Sequence, residues 1–267
     1  MRRDHPGRRG RRRKRGSSAG GLPRRVAGHF IPLPETYTRP SPSLALALCS
    51  PHGAATAEGL DTVFSLSFYS RMRAVVNLLP LLLAAPASAT VVSINNPKME
   101  RHFEPDDLGL RRPEHFGLRA VASHAAHLTT LFMQAVAARN PGKIALVHYW
   151  PGLVMTDLAY KSPLPGPAKW LWRYLVGPIS SHWAVPLEEC GERVVFLATG
   201  KFTAVECKAV GADGILGSGA YRVDWDGETF PTHNAARGLC EAGFVDRVWE
   251  HVIVTFKEIE TIGARQE

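Results

Sequence analysis

The chain has 267 residues, of which 45% are hydrophobic and 21% charged, with a formal net charge of +8. That length and apolar fraction exclude a wholly disordered chain and allow one sizeable domain. Eleven Lys/Arg against one acid fall within the first 25 residues; this excess is larger than that of the whole chain, so the rest is slightly acidic and the basic character belongs to a tail.

Residues 1–42 are rich in Arg, Gly, Pro and Ser, and too poor in apolar side chains to offset the entropy of ordering; disorder is expected there. The opening "MRRDHPGRRGRRRKRGSSAGG" has charge but no apolar segment behind it, so it does not read as a secretory signal. The arginine run has two readings: a nucleic-acid or nuclear-import element, or an unstructured stretch from a wrongly assigned start or splice junction. Because no aromatics interleave for base stacking, no nucleic-acid partner is expected. Four scattered cysteines (Cys49, Cys190, Cys207, Cys240) without a C-x-x-C pair point to buried thiols in a reducing, cytoplasmic setting.

From residue 43 to 267 the pattern is that of one α/β domain. "SLALALCSPHG" (43–53) reads as a short strand and loop. A long helix follows, starting near Thr56 or Glu58, with Leu60, Phe64, Phe68, Met72, Val75 and Leu79 at helical spacing. Pro80 falls near its end. The apolar run "AVVNLLPLLLAAPASATVV" is divided by Asn77 and two prolines, so it reads as helix end, turn and strand rather than a membrane span.

"ATVVSINN" is a buried strand by composition, and "HFEPDDLGLRRPEHFG" a polar loop. The next helix runs from about Leu118 to Arg139 and ends at Asn140-Pro141-Gly142, residue types common past a last helical turn. "KIALVHYW" (143–150) is a second buried strand, running into a Pro151-Gly152 corner. "PLEECGERVVFLAT" (186–199) is a helix, "GAYRVDWDGE" a strand and turn, and "GLCEAGFVDRVWEHVIVTFKEIE" a terminal helix. Strands separated by helices imply right-handed crossovers, a parallel sheet and helices on both faces. Ligands of such sheets lie off the carboxyl ends of the strands, which draws Asn95–Asn96 and Pro151–Gly152 to one rim.

With these segments in this order, the chain from about Glu58 to Glu260 resembles the C-terminal part of a short-chain dehydrogenase/reductase, particularly the divergent reductases of fungi. The resemblance implies a Rossmann-like fold and hydride transfer with NADP or NAD on a ketone or alcohol, plausibly in fungal secondary metabolism. It also implies a small-molecule substrate, a tyrosine and lysine four apart on one helix, a serine that orients the carbonyl and an asparagine that completes a proton relay. Laid over this chain, the asparagine position falls on Ser67, the serine position near Asn96, and the tyrosine and lysine positions on Ala120 and His124.

The resemblance therefore assigns catalysis to His124, Asn96 and Ser67, and cofactor contact to His124, Pro151, Gly152 and Thr156. His124 is the member of this set that titrates near neutral pH in its ordinary state. No glycine-rich turn after a strand occurs, so the expected fold is a partial Rossmann-like parallel sheet without its first strands and phosphate loop, with a bare flank that favours a homo-oligomer. A catalytically inactive remnant or binding module is the alternative to an enzyme. His124 and His127, three apart, with His115 or His148, raise a metal reading; the spacing alone is weak, no Cys or carboxylate shares it, and no metal is expected. Asn95–Asn96 read equally well as a strand-ending turn, and Tyr69 and Tyr149 as packing. Trp170, Trp172 and Trp183 fall where the family has a variable substrate lid.

Overall fold

The computed structural model describes residues 55–154, 165–180, 182–204, 207–230, 238–239 and 242–263, all within the compact unit Pro40–Glu267. The expected disordered tail at 1–42 and the expected strand at 43–49 lie outside the described residues, as does Thr156.

A helical rod opens the described part: one α-turn (Thr62–Phe64), a π-helical turn (Ser65–Tyr69) and helix α1 (Ser70–Leu83). It starts later than the sequence suggests. Asp61, rather than Thr56 or Glu58, is the N-cap, and its carboxylate accepts the Phe64 backbone N–H at 2.7 Å. Residues 55–60 instead form a turn in which Thr56 Oγ1 accepts the Leu60 N–H. The apolar stripe is as read: Leu60, Phe64, Phe68, Met72 and Val75 are all buried. Pro80 is inside α1, in its last turn, where its missing N–H costs one backbone bond and the helix ends three residues later.

Strand β1 (Ala89–Ile94) follows, then helix α2 (Leu118–Arg139) and strand β2 (Ile144–Tyr149). Short helical segments at Gly166–Leu171, Trp172–Val176 and Gly177–Ser180 come next, and helix α3 (Leu187–Phe196), strand β3 (Ala220–Val223) and helix α4 (Phe244–Gly263) follow. Helix α4 begins beyond the expected Gly238, after the left-handed Gly243. Among the described residues the strands make one parallel sheet in the order β1-β2-β3. β1 has no described partner on its outer edge.

The alternation of side chains divides the sheet into two faces. Val91, Leu146 and Ala220 pack with α1, α2 and α4 in the larger core. Val92, Val147 and Tyr221 face the other way, where Val194 of α3 and the following Leu197 cover them. Helix α2 is buried almost all round from Val121 to Ala137, polar residues such as Ser123, His124 and Thr130 included. Against it lies α4, with Phe132 stacked on Trp249 at 5.5 Å. The helix ends as read from sequence, with the Asn140 side chain donating to the Val136 carbonyl and Gly142 at φ 71. Among the described residues no helix is long and apolar enough to cross a membrane.

Candidate functional site at the carboxyl rim

The carboxyl ends of the three strands carry three short connections. Past β1 the Asn95 N–H donates to the Tyr149 carbonyl, and past β2 the Trp150 N–H donates to that of Val223, each at 3.0 Å. These bonds carry the sheet ladder one residue further and bring Asn95–Lys98, Trp150–Gly152 and Asp224–Trp225 side by side. Lys98 ties all three connections: its ammonium is 2.6 Å from Asp224 Oδ2 and 4.2 Å from the centre of the Trp150 ring. Arg71, from α1, donates to the Ile94 carbonyl.

Beneath this rim is a buried polar row. Ser93, His148 and Arg222 are register partners across β1, β2 and β3, so their side chains share the α2 face one step above the apolar row Val91–Leu146–Ala220. Arg222 donates to the Pro97 carbonyl at 3.2 Å and pairs with Glu100 Oε2 at 3.0 Å. Glu100 Oε1 accepts the Thr130 hydroxyl at 2.6 Å, and Thr130 Oγ1 is 2.8 Å from His148 Nδ1. Arg222 and Glu100 are each 2% exposed. Burial pushes the Glu100 carboxyl up to about 7, against the pull of Arg222 and Thr130. Burial also lowers His148 to about 3, with Arg222 and Arg71 adding to the effect.

The residues singled out by sequence divide between the rim and the interior. Asn96 is on the rim, where its Oδ1 accepts the Lys98 backbone N–H at 3.1 Å and so caps a 3-10 turn, Pro97–Met99. The strand-ending reading of Asn95–Asn96 is thereby realised, and the Asn96 amide NH2 is the part of its side chain that can serve a ligand. Pro151 and Gly152 are also on the rim. Gly152 has φ +81, and a Cβ there would lie 3.2 Å from Trp225 Cβ and 3.4 Å from Val185 Cγ2, which is why the corner needs glycine.

Ser67 is in the π-helical turn, and its hydroxyl donates back to the Val63 carbonyl at 2.8 Å. His124 is 1% exposed, with its ring centroid 4.7 Å from Phe103 and 6.1 Å from Phe64. Burial lowers it to about 4, which corrects the expectation of titration near neutral pH: an imidazole among aromatic rings cannot hold a charge cheaply. Its neighbour Ser123 accepts the Arg101 and His102 backbone N–H groups, so this part of α2 anchors the loop after β1 and faces inward.

The histidines do not assemble into a metal site: no group of three or more potential ligands occurs among the described residues. His115 instead meets Asp107 through Nδ1 at 3.0 Å. The tyrosines are internal as read. The Tyr69 hydroxyl lies 2.7 Å from His251 Nε2, and Tyr149 donates to the Trp225 carbonyl at 3.4 Å. Of the lid tryptophans, Trp170 and Trp183 are exposed. Sequence reasoning missed Lys98, Glu100, Thr130 and Arg222. The signal for the last two was a polar residue inside an otherwise buried helix and inside an otherwise apolar strand.

Parallel strands joined by helical crossovers, with helices on both faces and polar loops at the carboxyl ends, define a doubly wound α/β protein. Over 209 residues the chain is 34% identical to an oxidoreductase of Emericella nidulans, covering 73% of this chain and 61% of that protein. It is 28% identical to a short-chain dehydrogenase/reductase of Stachybotrys chartarum, with 78% of this chain and 62% of that protein covered. It is also 33% identical to an NmrA-like family domain-containing oxidoreductase of an Aspergillus species, with 73% and 56% covered. The chain thus spans about three fifths of the length of these relatives. No protein-family model matches it. It is a divergent, short-chain dehydrogenase/reductase-like relative of these fungal oxidoreductases.

Such relatives imply a nucleotide cofactor. The two residues that the resemblance aligns with the nicotinamide-contacting positions, Ala120 and His124, do not fit that group. Ala120 carries no acid or base, and the His124 ring, closed in by Phe64 and Phe103, cannot reach a ribose. No proton or hydride step follows from this pair.

Proposed function

We propose that this chain is built as an oxidoreductase of the short-chain type for a small ketone or alcohol, with NADP or NAD as redox partner and fungal secondary metabolism as its setting. Its carboxyl rim supplies the substrate-binding part of that activity. In this reading the Asn96 amide holds the substrate oxygen, while Pro151 and Gly152 shape the wall beside it. Ser67 and His124 then act as structural supports behind the rim. The observation that carries the reading is the gathering of Asn96, Lys98 and the Pro151–Gly152 corner at the ends of parallel strands, where such sheets bind ligands. The likeness to oxidoreductases supports the chemistry.

A second reading, a non-catalytic binding module with the same half-fold, is favoured by one specific observation: Ala120 and the enclosed His124 stand where the family exchanges its proton. Calorimetry with NADPH, NADH and a panel of aliphatic and aromatic ketones, followed by nicotinamide absorbance, separates the two. Ketone binding with cofactor oxidation is the expected result for an enzyme. Ketone binding without turnover establishes the module, and absence of binding by every ligand overturns both readings.

A further inference from the structure

We propose that Glu100, Thr130, His148 and Ser93 form a buried proton chain, which stores one proton on Glu100 and delivers it to Ser93 at the edge groove of the sheet. The groove, about 670 Å³, runs between α1 and β1 and is lined by Arg71, Met72, Val75, Leu78, Val91 and Ser93 among others. Its floor is therefore the open end of the polar row, and Glu100 is the closed end.

The geometry requires a directional chain, because Thr130 has one hydroxyl proton and two acceptors in reach. When Glu100 is ionised, Thr130 donates to Glu100 Oε1. His148 must then carry its proton on Nδ1 and donate to Thr130 Oγ1. Its Nε2 becomes an acceptor towards its register partner Ser93, whose hydroxyl can reach it only through a bridging water. When Glu100 is protonated every bond reverses: Glu100 donates to Thr130, Thr130 to His148 Nδ1, and His148 Nε2–H to the water that bridges to Ser93.

Both His148 Nε2 and Ser93 Oγ are buried and have no hydrogen-bond partner among the described residues. They lie on adjacent strands in direct register, roughly 4.8 Å apart at the backbone. Each thus supplies what the other lacks through one buried water between them.

The transfer balances. The Glu100 proton passes to Thr130 Oγ1, the Thr130 proton to His148 Nδ1, the His148 Nε2 proton to the bridging water and one of that water's protons to Ser93 Oγ, whose own proton leaves for a water in the groove. Glu100 ends as a carboxylate, the groove water has gained one proton, and the intermediate groups regain their charge. The charged groups that face the chain suit this traffic. Arg222 from β3 pairs with Glu100, and Arg222 and Arg71 together oppose charge on His148, so the imidazole remains neutral at rest while Glu100 sits near neutral pH.

The inference does not depend on the redox reading, and its test needs no substrate. Nitrogen-15 NMR of the full chain reports which ring nitrogen of His148 carries the proton, with the resonance assigned by its loss in His148→Asn. The expected result is a neutral ring throughout that changes from the Nε2–H to the Nδ1–H tautomer as pH rises through about 7. The infrared band of a protonated carboxyl should be lost with the same midpoint. Glu100→Gln should lock the tautomer, and Thr130→Val should uncouple it from the carboxyl band. One tautomer at all pH values in the wild type, an imidazolium signal, or a change that persists in Glu100→Gln overturns the proposal. If Glu100→Gln does not fold, the wild-type titration and its carboxyl band decide alone.

Discussion

Gly152 turns a strand end into a corner at a place where no other residue fits well. Its φ is +81, and the space a side chain would need is taken by Trp225 and Val185. An L-residue in the left-handed region costs about 1–2 kcal/mol, and the contact with Trp225 adds to that. Gly152→Ala should therefore lower unfolding free energy by about 1–2 kcal/mol in urea denaturation. Gly152→Asn, whose backbone tolerates this conformation better, isolates the contact with Trp225. An alanine variant as stable as wild type would mean that the corner relaxes freely. His124 teaches the complementary point. A side chain at a family's catalytic position has functional meaning only if its ring reaches the site, and here two phenylalanines stand around it.

Among the elements, helix α2 and strands β1 and β2 are legible from sequence nearly to the residue, because they are long, apolar and bounded by turn residues. The start of the first helical rod is not, since Thr56, Glu58 and Asp61 all suit an N-cap by type. The structure chooses Asp61 because Leu60 must already be buried before the helix begins. Asp61→Ala should cost about 0.5–2 kcal/mol, measured by thermal unfolding, whereas Thr56→Ala, which removes a longer bond of 3.3 Å, should cost less. Equal losses would place the cap earlier. The buried polar row was illegible for another reason. Ser93, His148 and Arg222 meet only through the register of two strand pairings, and Glu100 and Thr130 reach them from a loop and a helix. No local pattern encodes that meeting. The rim residues Asn96, Pro151 and Gly152 were legible because they follow strand ends directly.

At the scale of the whole molecule, burial sets opposing pH dependences. Three histidines are held below their usual 6.5: His124 and His251 to about 4 and His148 to about 3, in each case chiefly by burial. Between about 4.5 and about 6.5 the unfolded chain binds more protons at these sites than the native one, so stability is lost as pH falls through this range. Glu100 acts in the other direction. Its native value, about 7, lies above the usual 4.5, so the stability it contributes is present below the unfolded value and lost as pH rises through the native one. The histidines outnumber it: at pH 6.5 the three unfolded imidazoles still hold about 1.5 protons that the native rings do not, against less than one on native Glu100, and the two effects cancel only above about pH 7. Melting temperature should therefore rise from about pH 4.5 and level off above about pH 7. Glu100→Gln should steepen the rise, because the opposing loss from Glu100 is gone. Circular dichroism melts across this range test both parts. A flat profile below pH 6.5 would show that the histidines are solvated in the native state, and coincident profiles for the two proteins would show that Glu100 ionises at its ordinary value despite its burial.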